Sequence, residues 1–208
     1  MAPDTFRANY RRQFRDEAVR VAHQLAVSKG WENVRMGEIA DRVGSSRALL
    51  YKEFGDKAGL GDALVLREAE RFLQGVRAVL DKYSADAAAG LAASVTFTLE
   101  EAEKSPLLKA VLISHRDAAD GTGRGVLPLL TTSFSILEVS TETLVAWSSR
   151  FFPDIPEADM AEAADALVRL TVSHLALPNA DRGRTSQQIT EVGMRYLGLS
   201  PGRDKQTA

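Results

Sequence analysis

Cysteine is absent from all 208 residues, which excludes disulfides, thiolate metal sites and cysteine nucleophiles together and fits a cytoplasmic protein. Histidine is nearly as scarce. His23, His115 and His174 fall in three separate segments, with no His-x3-His pair and no acidic ligand cluster, so no metal site is expected. No apolar run approaches the roughly 20 residues that a membrane span requires. The first residues, MAPDTFRANYRRQF, are basic but are followed by no apolar stretch, so no secretory signal and no membrane association are expected. Catalytic signatures are missing as well. There is no Gly-x-Ser-x-Gly elbow and no local acid-base pair, and the glycine loop Gly121-Thr-Gly-Arg-Gly125 lacks the preceding strand and the Lys-Ser/Thr ending of a phosphate loop. Neither an enzyme nor a bound cofactor is expected, and no segment carries a convincing strand pattern.

What is present is a chain with enough apolar material for a substantial core: 45% hydrophobic residues against 26% charged, the balance of a soluble globular protein. Its net charge of −2 hides an asymmetry. Residues 1 to 60 hold 11 Lys+Arg and 8 Asp+Glu, an excess of +3, whereas the remainder holds 15 and 20, a deficit of −5. Only the front of the chain favours a polyanion.

That front contains VRMGEIADRVGSSRALLYKEFGDKAGL, from Val34 to Leu60. Ile39, Ala40 and Val43 share one helical face, and in a second short helix Leu50 and Phe54 are spaced four apart to close over them. Gly44 supplies the turn between the two, and Ser45 or Ser46 offers a hydroxyl to cap the second helix. Arg47, Tyr51 and Lys52 are left to face outward. This is a helix-turn-helix with a short, exposed second helix suited to phosphates and base edges. Arg47 is the candidate for bidentate bonding to guanine and Leu49 for packing on a thymine methyl. Ser46, Tyr51, Lys52 and Lys57 suit phosphate contact, and Arg35, Ser45 and Ala48 complete the expected DNA-facing set.

Ile39-Ala40, Gly44, Ser46, Leu50-Tyr51, Phe54, Lys57 and Leu60 resemble, in spacing as well as type, the signature of the tetracycline-repressor (TetR) family of bacterial transcriptional regulators. The resemblance covers the first quarter to third of the chain. It implies an all-helical homodimer that reads a palindromic double-stranded DNA operator and releases it when a small-molecule inducer binds the C-terminal domain. It also implies that Tyr51 and Lys57 contact phosphates. Three positions depart from the family pattern: Ser45 replaces an apolar residue, Leu49 a small or hydroxyl residue, and Arg35 a threonine that caps the first helix. Operator preference is to be sought there. Two other classes fit the same residues: an activator or ligand-independent DNA-binding regulator, and a helical small-molecule binding protein with a vestigial head.

Around this motif the periodicity predicts an all-α chain of about nine helices, a three-helix head followed by a helical ligand-binding and dimerisation domain. The expected divisions are a flexible basic arm over 1–10, the head over 11–55, the second domain over 56–199 and a disordered tail over 200–208. Phe14, Ala18, Val21, Ala22 and Leu25 form one face of a bracing helix. Before and along it, Arg7, Arg11, Arg12 and Arg15 read either as a solvated basic arm or as phosphate and minor-groove contacts. Asp56 caps a long helix toward Tyr83, with Gly59, Gly61 and Gly75 inside it either as soft points of a lever or as sites of close packing. Further helices carry Leu91 to Leu99, Leu108 to His115, and Leu127 to Phe151.

For an apolar or amphipathic inducer, the residues expected to form a pocket are Phe72, Val76, Phe97, Thr98, Leu112, His115, Phe134, Leu137, Trp147, Phe151 and His174, the polar ones serving as its few handles. Ser133 is a further candidate handle. The last two helices, about Glu157 to Leu177 and Thr185 to Leu199, present Ala161, Ala164, Leu167, Val168, Thr171 and Leu175 on one stripe and Ile189, Val192 and Tyr196 on the other. These are the expected dimer seam, pairing with their copies as a four-helix bundle.

Overall fold

A computed structural model describes residues 3–113, 130–178 and 181–198, leaving aside the side chains of 3–6, 110, 111, 113 and 130–135. All regular structure among the described residues is helical. They fall into two compact units, the first reaching Glu68 and the second beginning at Ala69.

The first unit opens with α1, Pro3–Lys29, and a single 3-10 turn, Trp31–Asn33. Two short helices follow, α2 (Met36–Val43) and α3 (Arg47–Phe54), and then the first turns of α4 (Lys57–Asp81). Phe14, Ala18, Val21, Ala22 and Leu25 of α1 are buried, as are Ile39, Ala40, Leu50, Phe54, Leu60 and Leu64, so the amphipathic faces predicted separately close on one core. The turn between α2 and α3 depends on Gly44, whose φ of 67° and ψ of 37° place it in the left-handed region that costs side-chain-bearing residues about 1 kcal/mol or more. Ser46 caps α3 by accepting the Leu49 N–H at 3.2 Å, and Asp56 caps α4 by accepting the Gly59 N–H at 2.8 Å.

Two expected boundaries require correction. Residues from Pro3 onward are not a flexible arm but the start of α1, since proline at the first helical position loses no hydrogen bond. The division expected at 55/56 falls instead beyond Glu68, because the first turns of α4 are tied to α1. Arg67 donates to the Asp16 carbonyl at 2.7 Å, and His23 Nε2 lies 3.5 Å from the buried Glu68 carboxylate. Of the glycines in α4, Gly59 serves close packing, since a Cβ there would lie 2.1 Å from the Phe54 carbonyl oxygen. Gly75 likewise faces the Phe97 ring.

The second unit contains the rest of α4 with α5 (Ala87–Lys104), α6 (Pro106–Ile113), α7 (Leu130–Ser148), α8 (Glu157–Ala176) and α9 (Arg182–Tyr196). Helix starts are written into the sequence. Asp86 accepts the Ala89 N–H at 2.9 Å, Ser105 the Leu108 N–H at 3.1 Å, and Asp181 the Arg184 N–H at 3.0 Å. Helix α8 packs between α7 and α9, α5 lies along α9, and α6 touches α5, α7 and α8. Leu80, Leu91, Leu99, Leu112, Trp147, Leu175 and Ile189 are among the side chains this packing buries. The loop around Gly121–Gly125, Leu127 and the tail from Ser200 lie outside the described residues.

Candidate nucleic-acid interface and ligand cavity

Helix α3 is held from behind and bare in front. Its buried side chains are Leu50 and Phe54, while Ser46, Arg47, Ala48, Tyr51 and Lys52 are exposed and Ser45 and Leu49 half-buried. A brace fixes its C-terminal end. The Glu53 carboxylate, 5% exposed, receives Arg11 Nε at 2.6 Å and has Arg15 Nη1 at 3.6 Å. Arg15 also donates to the Glu53 carbonyl at 2.5 Å and lies 4.6 Å from the centroid of the Phe54 ring. Arg11 and Arg15 therefore anchor the second helix of the motif instead of forming part of a free basic arm. Glu53→Gln retains the shape but loses the charge-assisted bonds, and we expect the urea midpoint followed by Trp31 fluorescence to fall by the equivalent of about 1 kcal/mol. An unchanged midpoint would leave the brace without energetic weight.

Arg47 does not project straight outward. A Cβ at Gly37 would lie 2.7 Å from Arg47 Nη2, so the guanidinium rests against the first turn of α2 and must swing off it to reach a base edge. Arg35 occupies the N-cap of α2 without a side-chain cap bond, leaving the first amides of that helix uncapped beside an exposed cation. Lys57 is half-buried at the corner: its ammonium donates to the Glu32 carbonyl at 3.0 Å and lies 5.3 Å from the Trp31 ring centroid. Lys29, hydrogen-bonded to Glu38, holds that carboxyl below the usual carboxylate range, and Arg42 and Arg35 add to the effect.

In the second unit a cavity of about 50 Å³ lies among α4, α5, α6, α7 and α8. Five of the predicted pocket residues line it: Phe72, Val76, Thr98, Leu112 and Leu137. Four do not. Phe97 packs on Phe72, ring centroids 6.2 Å apart, behind the wall. Trp147 is a core staple, its Nε1 donating to the Leu80 carbonyl at 3.0 Å, and Phe151 lies on it at 4.7 Å. His174 borders a different cleft with Glu103 and Arg182. His115 and the side chains of Ser133 and Phe134 lie outside the described residues.

Sequence reasoning missed Leu91, Ser94, Val95, Ser140, Leu144 and Val172 in the wall, and it assigned Leu167, Val168 and Thr171 to the dimer seam although they line the cavity. A signal for part of this set was available. Leu91, Ser94, Val95 and Thr98 recur at i, i+3, i+4 and i+7, an apolar stripe in which hydroxyls occupy inward positions.

The seam needs a broader correction. Ala164, Leu167, Val168, Thr171, Leu175 and Ile189 are all buried within the chain itself, Leu167 directly against Gly193 of α9, and so leave little surface to offer a second copy. Ala161 is half-buried. Val192 and Tyr196 are 51% and 55% exposed, and the Tyr196 hydroxyl donates to Glu162 at 2.6 Å, linking α8 and α9 on their outer face. Among the described residues no helix is long and apolar enough to cross a membrane.

Residues 18–64 match a family model described as bacterial regulatory proteins of the tetR family. Residues 86–195 match the C-terminal domain model of the bacterial tetracyclin repressor. The HTH-type transcriptional regulator AlkX of Mycobacterium tuberculosis is 25% identical over 167 residues, covering 79% of this chain and 75% of that protein. The solved structure of the TetR family repressor AlkX from a Dietzia species, implicated in biodegradation of n-alkanes, is similar with a TM-score of 0.64 and 28% identity, over 88% of this chain and 96% of that one. Thermus thermophilus FadR, a TetR family repressor solved with lauroyl-CoA, shares the fold with a TM-score of 0.59 at 16% identity, over 93% and 98% of the two chains.

Proposed function

Because this chain belongs to the tetracycline-repressor family of bacterial transcriptional regulators, we propose that it represses transcription by holding a palindromic operator as a homodimer and lets go when an apolar or amphipathic molecule enters the cavity of its second unit. It is a helix-turn-helix regulator, not an enzyme. The observation that carries the reading is the bare face of α3, where Ser46, Arg47, Ala48, Tyr51 and Lys52 stand exposed on a helix whose opposite face is sealed into the core. In the proposed complex Arg47 reads guanine, Leu49 and Ala48 meet apolar base edges, and Arg35, Ser45, Ser46, Tyr51, Lys52 and Lys57 position the backbone. The second copy packs on the outer face of α8 and α9 around Val192 and Tyr196, setting two recognition helices for half-sites about 34 Å apart.

The inducer reading is supported by the cavity's composition, since among the described residues none that lines it is charged, and by the n-alkane association of the Dietzia repressor. At about 50 Å³ the cavity is far below the roughly 300 Å³ or more of occupied ligand sites, so a ligand must favour a form in which its walls have parted. A preference of about 1 to 3 kcal/mol for that form weakens operator binding some 5- to 150-fold.

The test is an operator titration on DNA identified by genomic protection mapping. Arg47→Ala is expected to weaken binding by about 1–3 kcal/mol and to relax sequence preference at its base. Tyr51→Phe, which loses a hydrogen bond to a charged oxygen, is expected to weaken binding roughly tenfold or more on every sequence. Unchanged affinity in both variants would defeat the assignment of α3 as the reading helix.

A further inference from the structure

A second recess of the same unit, a cleft of about 70 Å³, gathers charged side chains. Lys109 of α6, His174 of α8 and Arg182 of α9 line it together with Glu103 of α5. Arg182 Nη1 lies 3.0 Å from the Glu103 carboxylate, but a guanidinium spreads five N–H donors over a plane and one carboxylate does not exhaust them. With His174 counted as neutral, Lys109 and Arg182 against Glu103 leave these four side chains one positive charge in surplus, and the imidazole adds an N–H donor.

This cleft stands one helical turn from the apolar cavity on three helices at once. On α5, Ala102 follows Thr98 by four residues; on α8, His174 and Leu175 follow Thr171 by three and four; on α6, Lys109 precedes Leu112 by three. Residues so spaced share a helical face about 5 Å apart along the axis. The three directions agree, because α6 begins where α5 ends, so the C-terminal ends of α5 and α8 and the start of α6 come together at the cleft. Leu99 and Leu175, both buried, also line it and carry the apolar surface from one recess toward the other.

We propose that the two recesses are the tail and head subsites of one ligand, an aliphatic carboxylate whose chain lies in the cavity and whose carboxylate is held by Lys109, Arg182 and His174. The proposal rests on the reading of the cavity as the effector site and specifies what the polar end of the effector must be. Each subsite needs the other. The buried chain supplies affinity in proportion to its methylenes, while the cleft supplies charge-assisted hydrogen bonds and keeps the carboxylate out of the apolar enclosure, where an unpaired charge is costliest. The cleft has room for the head and bridging water, since about 10–15 Å³ already holds one water molecule. An alcohol or a methyl ester brings no charge to Lys109 and Arg182 and forgoes that part of the binding.

The measurement is calorimetric titration of the full-length protein with decanoate, methyl decanoate, decan-1-ol and butyrate at pH 8, each repeated in the presence of operator DNA. Decanoate is expected to bind at least about tenfold tighter than the ester or the alcohol, the difference between charge-assisted and neutral hydrogen bonds. Butyrate, with the same head and a chain too short to fill the cavity, should bind about 100-fold more weakly or worse. In the double variant Lys109→Gln, Arg182→Gln the preference for decanoate over its ester should vanish while ester affinity stays unchanged, and Lys109→Arg should retain it. Ester or alcohol binding as tightly as decanoate overturns the proposal, as does a double variant that keeps the full preference. Butyrate binding as tightly as decanoate overturns the joining of the two recesses into one site. Failure of all four compounds to bind overturns the effector-site reading along with it. Selective decanoate binding that leaves operator affinity untouched upholds the ligand assignment and overturns induction through this site.

Discussion

Trp147→Ala is expected to cost the protein about 3–5 kcal/mol, the range for removing a fully packed aromatic side chain. The ring is 4% exposed and joins three elements of the second unit. Its indole N–H donates to the Leu80 carbonyl at the end of α4, 3.0 Å away. Its edge lies so close to Gly90 of α5 that a Cβ there would meet it at 2.5 Å, and Phe151 leans on it with centroids 4.7 Å apart. Trp147→Phe should cost far less, about 1–2 kcal/mol, because the Leu80 carbonyl keeps its bond from the Tyr83 amide and only the indole share of the bonding is lost. Urea denaturation followed by far-ultraviolet circular dichroism distinguishes the two. A loss under about 1 kcal/mol for the alanine variant would place the ring among ordinary surface positions and reopen its assignment to the ligand cavity.

The same residue shows where sequence reasoning reached its limit. A tryptophan on an apolar helical face is equally consistent with a pocket wall and with a core staple, because periodicity gives the direction of a side chain but not what lies opposite. Helix α8 is the stronger case. Its stripe of Ala164, Leu167, Val168, Thr171 and Leu175 has the correct period and is buried, but a buried stripe is the same string of residues whether its partner is α9 of its own chain or a symmetry copy. The helix-turn-helix was legible for the opposite reason. Gly44, the Ser46 cap and the Asp56 cap are local devices whose partners lie within four residues, so the sequence that makes them also displays them. What no local rule could supply was long-range pairing: Glu53 taken up by Arg11 and Arg15 from 42 and 38 residues away, or Arg47 laid against Gly37.

Leu50→Ala should weaken DNA binding on every sequence while removing no atom that faces DNA. Helix α3 has eight residues, too few to persist in water on its own propensity, since isolated helices shorter than about 12–15 residues are marginal. It is folded because Leu50, with no exposed surface, and Phe54 are seated in the core of the first unit. Truncating a buried leucine costs about 2–5 kcal/mol, a large part of the total stability of about 5–15 kcal/mol that a domain commands. The expected signature separates this loss from that of a contact residue. Arg47→Ala should relax the preference at one base pair, and Tyr51→Phe should weaken all sequences by one common factor. Leu50→Ala should instead weaken every sequence and lower the urea midpoint reported by Trp31 at the adjoining corner. Leu50→Met, which conserves volume, should cost under about 1.5 kcal/mol and retain binding. If Leu50→Ala melts normally and still fails to bind, Leu50 must act at the DNA surface and the core of this head has been misassigned. If it binds normally, the exposed face of α3 does not need its buried one, and the proposal that this helix reads DNA falls.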